Sequence, residues 1–491
     1  HLLKLQASYG AQTDTKGPSD NLIIQGDNLQ ALKALLPFYT GKVKCIFIDP
    51  PYNTQSAFEH YDDKLEHSQW LSMMYPRLVL LRELLAEDGS IWVTLDDREA
   101  HYFKVMMDEI FGRSNFVTNV VWQKKYSPQN DAKWLSDNHD HVLVYGKNKQ
   151  LWRPNLLPRS ESMNARYKNP DNDVRGVWKA SDLSVKTYSE KNDYPITLPS
   201  GRIVSSSKSR CWGVSKEKLT ELIADNRIWF GEAGNNVPAL KKFLSEVQDG
   251  SVSLTVWTYD EVGHNQDAKN EIKILNDKTL FDTPKPEKLI QKILTLASNE
   301  TDLVLDSFLG SGTTCAVAHK MHRRYIGIEM GEHAVTHCIP RLQKVIEGEQ
   351  GGISKAVNWT GGGGFNFYTL GAPVFDSDGH ITPDISFNDL AAYIWWLETK
   401  SAAGAQLHKM TPFIGELDGV AFYLLYNGIL GDRRPNSGNV LTASVLAHLL
   451  EIHPHAGKKV IFGEASRLGV TRMHNENIEF KQIPYELHNR I

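Results

Sequence analysis

The chain has 491 residues, 41% of them hydrophobic and 23% charged, a composition that is ordinary for a globular protein and predicts roughly two to four domains. No apolar run approaches the roughly 18 residues that cross a membrane, and the start, His1-Leu2-Leu3-Lys4, lacks the features of a secretory signal, so we expect a cytoplasmic protein without a membrane anchor. The formal net charge of −4 gives no global electrostatic argument for a nucleic-acid partner.

Strands and helices alternate through the first part of the chain. The predicted elements are, in order, strand 22–24, a helix opened by Gly26-Asp27-Asn28, strand 43–48, helix 67–85, strand 90–95 and helix 98–111. Such alternation indicates an α/β fold with a parallel, doubly wound sheet and right-handed crossovers. Two further strands, 116–122 and 141–145, are predicted as an antiparallel hairpin at the edge of this sheet.

The regular pattern is interrupted and then resumes. Residues 151–276 consist of short pieces rich in Pro, Gly, Asn, Ser and aromatics, which predicts an inserted lobe whose tryptophans form its core. Helix 284–297, strand 303–305, helix 313–321, strand 325–328 and a helix from 333 then restore the alternation. We therefore expect one sheet domain in two halves, 20–150 and 277–370, and a small C-terminal α/β domain of unknown role at 375–491.

Two short motifs follow strands of this sheet. Asp49-Pro50-Pro51-Tyr52 comes after strand 43–48, and Asp306-Ser307-Phe308-Leu309-Gly310-Ser311-Gly312 comes after strand 303–305. Ligands of open α/β folds bind at the carboxyl ends of parallel strands, where both motifs would lie. The sequence thus predicts one site built from segments more than 250 residues apart.

The first motif has the groups that methylation of an exocyclic base amine requires. The lone pair of such an amine is delocalised into its ring, and two acceptors, here Asp49 and the Pro50 carbonyl, would favour a pyramidal nitrogen with an available lone pair. Pro50 and Pro51 restrict the backbone of the turn. Tyr52 offers a ring on which a base could stack, for ~1–3 kcal/mol. Because the amine is unreachable inside a duplex, this chemistry implies base flipping.

The two motifs in this order resemble those of the β-class DNA amino-methyltransferases, and most of all the modification subunits of type III restriction-modification systems. The resemblance covers about residues 20–370 and rests on Asp49 to Tyr52 with Asn53-Thr54, and on Asp306 to Thr314. It implies a permuted Rossmann-like methyltransferase sheet with an inserted target-recognition lobe. The implied activity is site-specific transfer of a methyl group from S-adenosylmethionine to the N6 amine of adenine in double-stranded DNA.

Alternatives stay open at this point. Asp at the first motif position favours adenine over cytosine in this family, but N4-cytosine methylation and a non-catalytic DNA-recognition subunit are the rival interpretations. None of the four cysteines follows a proline, which argues against the Pro-Cys nucleophile of cytosine-carbon methyltransferases. The partners that the resemblance implies are double-stranded DNA, a second copy in a homodimer, and a nuclease-helicase restriction subunit.

The resemblance also assigns the cofactor site. Phe308, Gly310 and Gly312 would form the turn that approaches S-adenosylmethionine, with Asp306 at its methionine part and Glu329 on the ribose hydroxyls. The remaining positions assigned to the cofactor are Thr283, Lys285 and Thr313, together with Asp27, which would meet the adenine. A competing role exists for Asp27, since Asp is a favoured residue at a helix N-cap.

Basic residues are concentrated next to the inserted lobe. Between residues 120 and 230 there are 19 Lys and Arg against 12 Asp and Glu, an excess of 7. Such a set predicts contacts with DNA phosphates. The predicted DNA-contacting residues are Lys124, Lys125, Lys147, Lys149, Arg153, Arg159, Arg166 and Lys168.

We expect no metal ion. The string His139-Asp140-His141 and the single His264 have no carboxylate or cysteine partners at ligand spacing, and methyl transfer from a sulfonium needs no Lewis acid. Four scattered cysteines also predict neither a disulfide framework nor a zinc site, but reduced and mostly buried thiols.

Overall fold

The computed structural model describes residues 1–10, 21–53, 66–207, 209–275, 281, 283–383, 385–404, 407, 411–484 and 487. Their internal contacts divide the chain into two compact units, one formed by residues 1–155 with 254–491 and the other by residues 156–253. Thr54, which the sequence groups with the first motif, lies outside the described residues.

The first part of the larger unit alternates strands with helices. Its strands are β1 (Leu3–Gly10), β2 (Leu22–Gln25), β3 (Val43–Ile48), β4 (Leu85–Leu95), β5 (Phe116–Gln123) and β6 (His139–Gly146), and its helices are α1 (Asn28–Tyr39), α2 (His67–Leu84) and α3 (Ala100–Met107). A π-helical turn over Asp108–Gly112 continues α3. The predicted helix 67–85 therefore ends where a strand begins, because the chain passes directly from Leu84 into β4.

The smaller unit, residues 156–253, is built from short pieces. Its strands are β7 (Trp178–Asp182), β8 (Ser184–Val185), β9 (Ile196–Thr197), β10 (Ile203–Val204), β11 (Cys211–Trp212), β12 (Ile228–Trp229) and β13 (Ala239–Phe243), with helices α4 (Glu161–Asn164) and α5 (Lys216–Ala224). Trp212 and Leu219 belong to its hydrophobic core, as do Ile196 and Ile228. This unit is shorter at both ends than the predicted lobe of residues 151–276.

The chain then returns to the larger unit. The strands that follow are β14 (Val256–Trp257), β15 (Leu303–Asp306), β16 (Arg324–Glu329) and β17 (Gly364–Leu370), and the helices are α6 (Tyr259–Val262), α7 (Asn265–Leu275), α8 (Glu287–Ala297), α9 (Thr313–Lys320) and α10 (Ile339–Ile346). Helix α8 turns Leu289, Ile290 and Ile293 inward, at the helical spacing that an amphipathic helix uses to cover a sheet.

Ten strands of the larger unit, β1–β6 and β14–β17, form one sheet in the order β1-β17-β2-β16-β15-β3-β4-β6-β5-β14. The strands from β17 to β4 are parallel, while β6 runs antiparallel to β4 and β5 antiparallel to β6. The predicted permuted Rossmann-like sheet is thus confirmed. The predicted hairpin is present, but β14 pairs beyond β5, and β1 with β17 extends the opposite edge.

A second, smaller sheet lies in the C-terminal part of the larger unit. Its elements are α11 (Phe387–Thr399), β18 (Phe413–Leu417), β19 (Val420–Leu424), β20 (Val440–Leu441), α12 (Ala443–Ile452), β21 (Lys458–Gly463), β22 (Ala465–Ser466), α13 (Val470–Asn475) and β23 (Ile478–Gln482). Four of these strands pair in the order β18-β19-β21-β23. The prediction of an α/β fold for residues 375–491 agrees with these elements.

Across the described ranges, no helix combines the length and the apolar character needed to cross a membrane. All four cysteines are free and buried, as the sequence predicts.

Candidate functional site

The two motifs meet because their strands are neighbours. Strand β15 pairs in parallel with β3, with Leu305 opposite Ile46, and β16 lies on the other side of β15. The turns that follow Ile48, Asp306 and Glu329 therefore share one edge of the sheet. Tyr52 and Phe308, one from each motif, are half-buried and pack against the same hydrophobic core.

The Asp49 carboxylate is held by two donors. The Thr94 hydroxyl, on β4, donates to Oδ1 at 2.6 Å, and Lys285 Nζ donates to Oδ2 at 2.5 Å. The side chain keeps 22% exposure, so it remains open to a ligand at this edge. The contact with Lys285 is unexpected, because the sequence assigns that residue to the cofactor.

Tyr52 is fixed by a chain of polar contacts. Its hydroxyl donates to Asp140 Oδ2 at 3.2 Å, and the other oxygen of Asp140 accepts from Lys124 Nζ at 2.6 Å. Lys285 Nζ lies 5.2 Å from the centre of the Tyr52 ring, within the range of a cation–π contact. Burial, followed by the nearby carboxylates of Asp140 and Asp49, raises the Tyr52 pKa well above its ordinary value. The hydroxyl therefore stays neutral and acts as a donor.

The backbone of the first turn is also anchored. The indole Nε1 of Trp70 donates to the Pro51 carbonyl at 2.8 Å. Asn53 adopts a positive φ of 57° and donates to Glu99 at 2.8 Å. Among the described residues we find no hydrogen bond to the Pro50 carbonyl, and its role as the second acceptor stays a prediction.

The second motif forms a tight turn around a buried acid. Asp306 is 2% exposed, and its carboxyl accepts from the Phe308 amide at 2.9 Å and from the Thr314 hydroxyl at 2.6 Å. Burial raises the pKa of Asp306 to about 7; those two hydrogen bonds lower it, and the charges of Asp49 and Glu329 raise it again. The site thus contains a carboxyl group whose charge a bound cation would stabilise.

Two glycines of this turn adopt conformations that other residues avoid. Gly310 has φ 57° and Gly312 has φ 82°. A Cβ on Gly310 would lie 3.0 Å from Phe281 Cζ, and one on Gly312 would lie 3.2 Å from Cys338 Cα. Thr313 opens α9 and its hydroxyl accepts from Arg341 Nη1 at 2.8 Å, so it supports the turn from behind.

Glu329 stands at the end of β16, as predicted, and is almost fully buried. Its Oε2 accepts from the Gly310 amide at 2.7 Å, which joins the third carboxylate to the glycine turn. Asp27 proves to be the N-cap of α1, accepting from the Gln30 amide at 3.0 Å, and its other oxygen pairs with Arg77 at 3.1 Å. Thr283 is exposed at the start of its segment.

A buried ionic network lies beneath the turn and was missed by the sequence reasoning. Glu287, 1% exposed, accepts from Arg341 Nη2 at 2.9 Å and from Lys320 Nζ at 2.8 Å. Arg341 also donates to Thr313, so the network connects α8, α9 and α10. The only available signal was a charged residue at an inward position of a predicted amphipathic helix. Thr94 and Asp140 were also missed. Thr94 lies near the end of β4 with no motif around it, and Asp140 was considered only as part of the string His139-Asp140-His141.

The predicted DNA-contacting residues are not brought together. Lys124 is 8% exposed and its ammonium pairs with Asp140 and Asp137, so its predicted contact with a phosphate would require a change in these ion pairs. Lys147 donates to the Leu85 carbonyl and Lys149 to the Phe116 carbonyl, at the edge of the sheet opposite the two motifs. Arg153 donates to backbone carbonyls beside them.

The remaining members of the predicted set are more accessible. Lys125 is half-buried at the end of β5, on the same edge as the motifs. In the smaller unit, Arg166 and Lys168 are exposed, while Arg159 is half-buried and donates to Asn164 at 2.9 Å. That unit has 15 Lys and Arg against 12 Asp and Glu, an excess of 3, so its own charge is less basic than the 120–230 window suggests.

The histidines have acidic neighbours that spacing did not reveal. His141 Nε2 lies 2.7 Å from Asp97 Oδ1, and ligand atoms of Asp97, His139 and His141 lie within 4.8 Å of one another. His264 Nδ1 lies 2.5 Å from Asp267. The premise that these histidines lack carboxylate partners was therefore wrong, whereas the absence of a bound metal stays a prediction.

Comparisons with known proteins agree with the geometry. A family model described as DNA methylase, N6_N4_Mtase, matches residues 43–339, a span that contains both motifs. A Haemophilus influenzae protein named as a probable type III restriction-modification enzyme HindVI Mod subunit is 36% identical over 405 residues, covering 72% of this chain and 54% of that protein. The type III restriction-modification enzyme StyLTI Mod subunit of Salmonella typhimurium is 37% identical over 328 residues, covering 60% and 49%.

The chain spans about half the length of these two curated relatives. Among solved structures, the cytosine-N4-specific PvuII DNA methyltransferase is 14% identical with a TM-score of 0.38, covering 70% of this chain and 91% of that chain.

Proposed function

The chain belongs to the DNA methylase family, and on that premise we propose that it transfers a methyl group from S-adenosylmethionine to the N6 amine of adenine in double-stranded DNA. One observation carries the proposal: the Asp49 carboxylate lies at the same sheet edge as the Asp306 and Glu329 carboxylates, which frame a glycine turn. The first carboxylate faces a substrate amine and the other two suit the cationic and hydroxyl groups of the cofactor.

The residues present fit S-adenosylmethionine. Asp306 is a buried carboxyl with a pKa raised to about 7, which a cationic ammonium group would favour in its ionised form. Glu329 can accept from ribose hydroxyls, and the positive φ of Gly310 and Gly312 lets the backbone approach the ligand. When bound, the cofactor supplies an electrophilic methyl group on a sulfonium sulfur.

The chain's own residues prepare the amine. The Asp49 carboxylate and the Pro50 carbonyl each accept a hydrogen bond from one N–H group of the amine. This favours a pyramidal nitrogen whose lone pair faces the cofactor side of the site. Formation of the N–C bond would accompany cleavage of the sulfonium S–CH3 bond, with a neutral thioether as the leaving group. The methylated amine would then carry a positive charge, which the Asp49 carboxylate stabilises until one amine proton passes to solvent. The Tyr52 ring, fixed by its hydroxyl bond to Asp140, provides the surface for the flipped base.

Lys285 has a specific part in this scheme. Its ammonium holds Asp49 Oδ2, an oxygen that the substrate amine also needs. Entry of the base therefore requires Lys285 to release or share this oxygen. We expect Lys285→Met to change turnover much more than cofactor affinity, and a selective loss of cofactor binding would instead support the assignment made from sequence.

Methylation of DNA from an unmethylated strain tests the activity. Mass spectrometry of digested nucleosides should detect N6-methyldeoxyadenosine, and single-molecule sequencing should give its sequence context. N4-methyldeoxycytidine would overturn the adenine assignment, and cofactor binding without any DNA methylation would establish the non-catalytic alternative.

A matched pair of variants tests the role of Asp49. Asp49→Asn should abolish methylation while its affinity for S-adenosylmethionine stays within a few-fold of wild type. Asp88→Asn removes a carboxylate that is 57% exposed and pairs with Lys44, and it should leave both activity and affinity unchanged. A large loss of cofactor affinity in Asp49→Asn would remove Asp49 from the substrate side of the site.

We assign sequence recognition to the smaller unit, residues 156–253. Its exposed Arg166 and Lys168 suit phosphates, while the bases must be read by polar groups in the groove. Exchanging this unit for that of a related enzyme should transfer the recognised sequence. A folded, active chimaera that still methylated the original sequence would place recognition elsewhere, with residues 375–491 tested next.

The relatives' names suggest the partners. Both are called Mod subunits of type III restriction-modification enzymes, which supports a restriction subunit, the predicted nuclease-helicase, as a partner of this chain. The homodimer is proposed only from the resemblance of the two motifs to that family. Light scattering after size-exclusion chromatography tests the dimer. Co-purification with a restriction subunit encoded beside it tests the second partner.

A further inference from the structure

Trp134 is the tryptophan that the fold leaves in solvent. The chain has 12 tryptophans, all within the described residues; eleven are buried or half-buried, and Trp134 is 89% exposed. Leu135 beside it is 93% exposed. Within the described ranges, this is the only place where two consecutive large hydrophobic side chains are both exposed. Such an exposed apolar pair buries little surface in the isolated chain, which makes it a candidate contact surface.

These side chains belong to the loop of residues 124–138 between β5 and β6, whose base lies next to the turn formed by Asp49 to Tyr52. The Lys124 amide donates to the Asn138 carbonyl at 2.9 Å, and Lys124 Nζ contacts both Asp137 and Asp140. Asp140 accepts the Tyr52 hydroxyl. Asp140 lies six positions after Trp134, which limits the distance between their Cα atoms to about 21 Å.

The loop is ordered by its own hydrogen bonds. The Gln129 amide donates to the Ser136 hydroxyl at 2.8 Å, and the Ala132 amide donates to the Gln129 carbonyl at 3.1 Å. These bonds close the loop below its tip, so that Trp134 and Leu135 are presented outward. Exposed Lys133 lies next to them, and the half-buried Lys125 lies at the loop's base, which gives the apolar tip cationic neighbours.

We propose that Trp134, supported by Leu135, inserts into the DNA base stack at the position vacated by the flipped target base. This inference rests on the proposed DNA methylation. Removing a base from a duplex leaves an apolar gap between its neighbours, and proteins fill such gaps with apolar side chains that unstack a base step. The Trp134 indole stacks on the neighbouring bases, Leu135 fills the remaining space, and Lys133 meets the adjacent phosphates. Trp134 is therefore a positioning residue, because it acts on the flipping equilibrium and not on the reacting atoms.

A comparison of two substrates distinguishes a role of Trp134 in base flipping from a general loss of activity. The substrates are two duplexes containing the methylated sequence found by single-molecule sequencing, one with normal pairing and one with an abasic site opposite the target adenine. Trp134→Ala should reduce kcat/KM on the paired duplex about 5- to 150-fold, the equivalent of ~1–3 kcal/mol of base stacking. On the abasic duplex, where the target base leaves the stack more easily, the loss should shrink to a few-fold.

Matched variants complete the experiment. Trp134→Phe should restore most of the activity, because it keeps an aromatic face. Leu5→Ala removes another exposed apolar side chain, at a 52% exposed position on β1, and as a control it should behave as wild type on both duplexes. With 2-aminopurine at the target position, the fluorescence increase seen with wild type should be reduced in Trp134→Ala, while affinity for S-adenosylmethionine is unchanged.

Three results would overturn the inference. Equal losses on the paired and abasic duplexes would show that Trp134 does not act on flipping. Unchanged kinetics with an altered oligomeric state would assign the loop to a protein contact instead. A wild-type protein that methylates neither duplex would defeat the proposed function, and the insertion role with it. The first two results leave the methylation proposal intact.

Discussion

Replacement of Asp306 by Asn should make the protein more stable at high pH while impairing its cofactor site. The Asp306 carboxyl is 2% exposed, and burial raises its pKa from 3.8 to about 7. In the folded state the group therefore holds a proton between about pH 4 and pH 7, where the unfolded chain has released it. Stability relative to an uncharged variant must then fall as the pH rises through this window.

The size of the effect follows from the pKa change. Roughly three units at about 1.36 kcal/mol each give about 4 kcal/mol, fully developed above pH 7 and absent below pH 4. Of this, about 3 kcal/mol should develop between pH 5 and pH 8. The asparagine side chain of the variant keeps an oxygen for the Phe308 amide, and the Thr314 hydroxyl can turn to accept from its amide group. The substitution therefore removes the charge with little loss of hydrogen bonding.

Denaturant unfolding of the wild type and Asp306→Asn at several pH values between 5 and 8.5 measures this difference. Glu300→Gln provides the control, since it removes an exposed carboxylate near the opposite end of β15 and should give no comparable pH-dependent gap. Calorimetric titration with S-adenosylmethionine, in buffers of different ionisation enthalpy, should show proton release near pH 6 for wild type but not for the variant. A stability gap that stays flat from pH 5 to pH 8, or binding without proton release, would refute the account of Asp306 as an acid that ionises beside a bound cation.

Three further predictions concern other parts of the site. Gly310→Val should lose at least tenfold in cofactor affinity while its circular dichroism spectrum stays unchanged, because φ is 57° and the new Cβ would meet Phe281. The control Gly469→Val, which has open space around its Cβ, should bind the cofactor normally. Equal binding by both variants would show that the glycine turn only connects two elements. Tyr52→Phe keeps the ring and loses the bond to Asp140, so its turnover should fall less than that of Tyr52→Ala, which forfeits ~1–3 kcal/mol of stacking; the reverse order would make the hydroxyl the more important group. Arg341→Met removes one of the two cations that pair with the buried Glu287 and leaves only Lys320, so it should lower the free energy of unfolding by ~3–5 kcal/mol. A change below ~1 kcal/mol would mean that water or a neighbouring group compensates for the lost ion pair.

The central strands and the meeting of the two motifs were predictable from sequence. A buried parallel strand is a short, continuous apolar run, and the turn after it must lie at the carboxyl edge of the sheet. This reasoning placed Asp49, Asp306 and Glu329 together correctly. It could not reach β1, at the edge of the sheet, or β17 beside it, because these two strands are far apart in the chain and their pairing leaves no local signal.

Side-chain pairing is the second limit. Lys285 was assigned to the cofactor from its motif, yet its ammonium reaches Asp49, since the direction of a long side chain depends on packing that spacing does not encode. The same limit applies to Lys124, which was counted as a surface charge although Asp137 and Asp140 enclose it. Asp27 forms the helix N-cap that was its competing role, and its contact with the cofactor adenine stays a prediction. A count of basic residues in the sequence therefore does not show which of them are free to contact a phosphate.

The backbone closes on itself at the outer edge of the sheet. The Leu2 amide donates to the Ala372 carbonyl at 2.9 Å, and the Gly371 amide donates to the Leu2 carbonyl at 2.8 Å. A peptide linker joining Leu2 to Ala372, with new termini placed between the exposed Asn299 and Glu300, would make residues 2–372 a circular permutant. This permutant would begin just before β15. In it Asp306 would precede Asp49 along the polypeptide while every strand kept its neighbours. The linear order of the two motifs is therefore a matter of where the polypeptide is opened, and the chemistry at the sheet edge is indifferent to it.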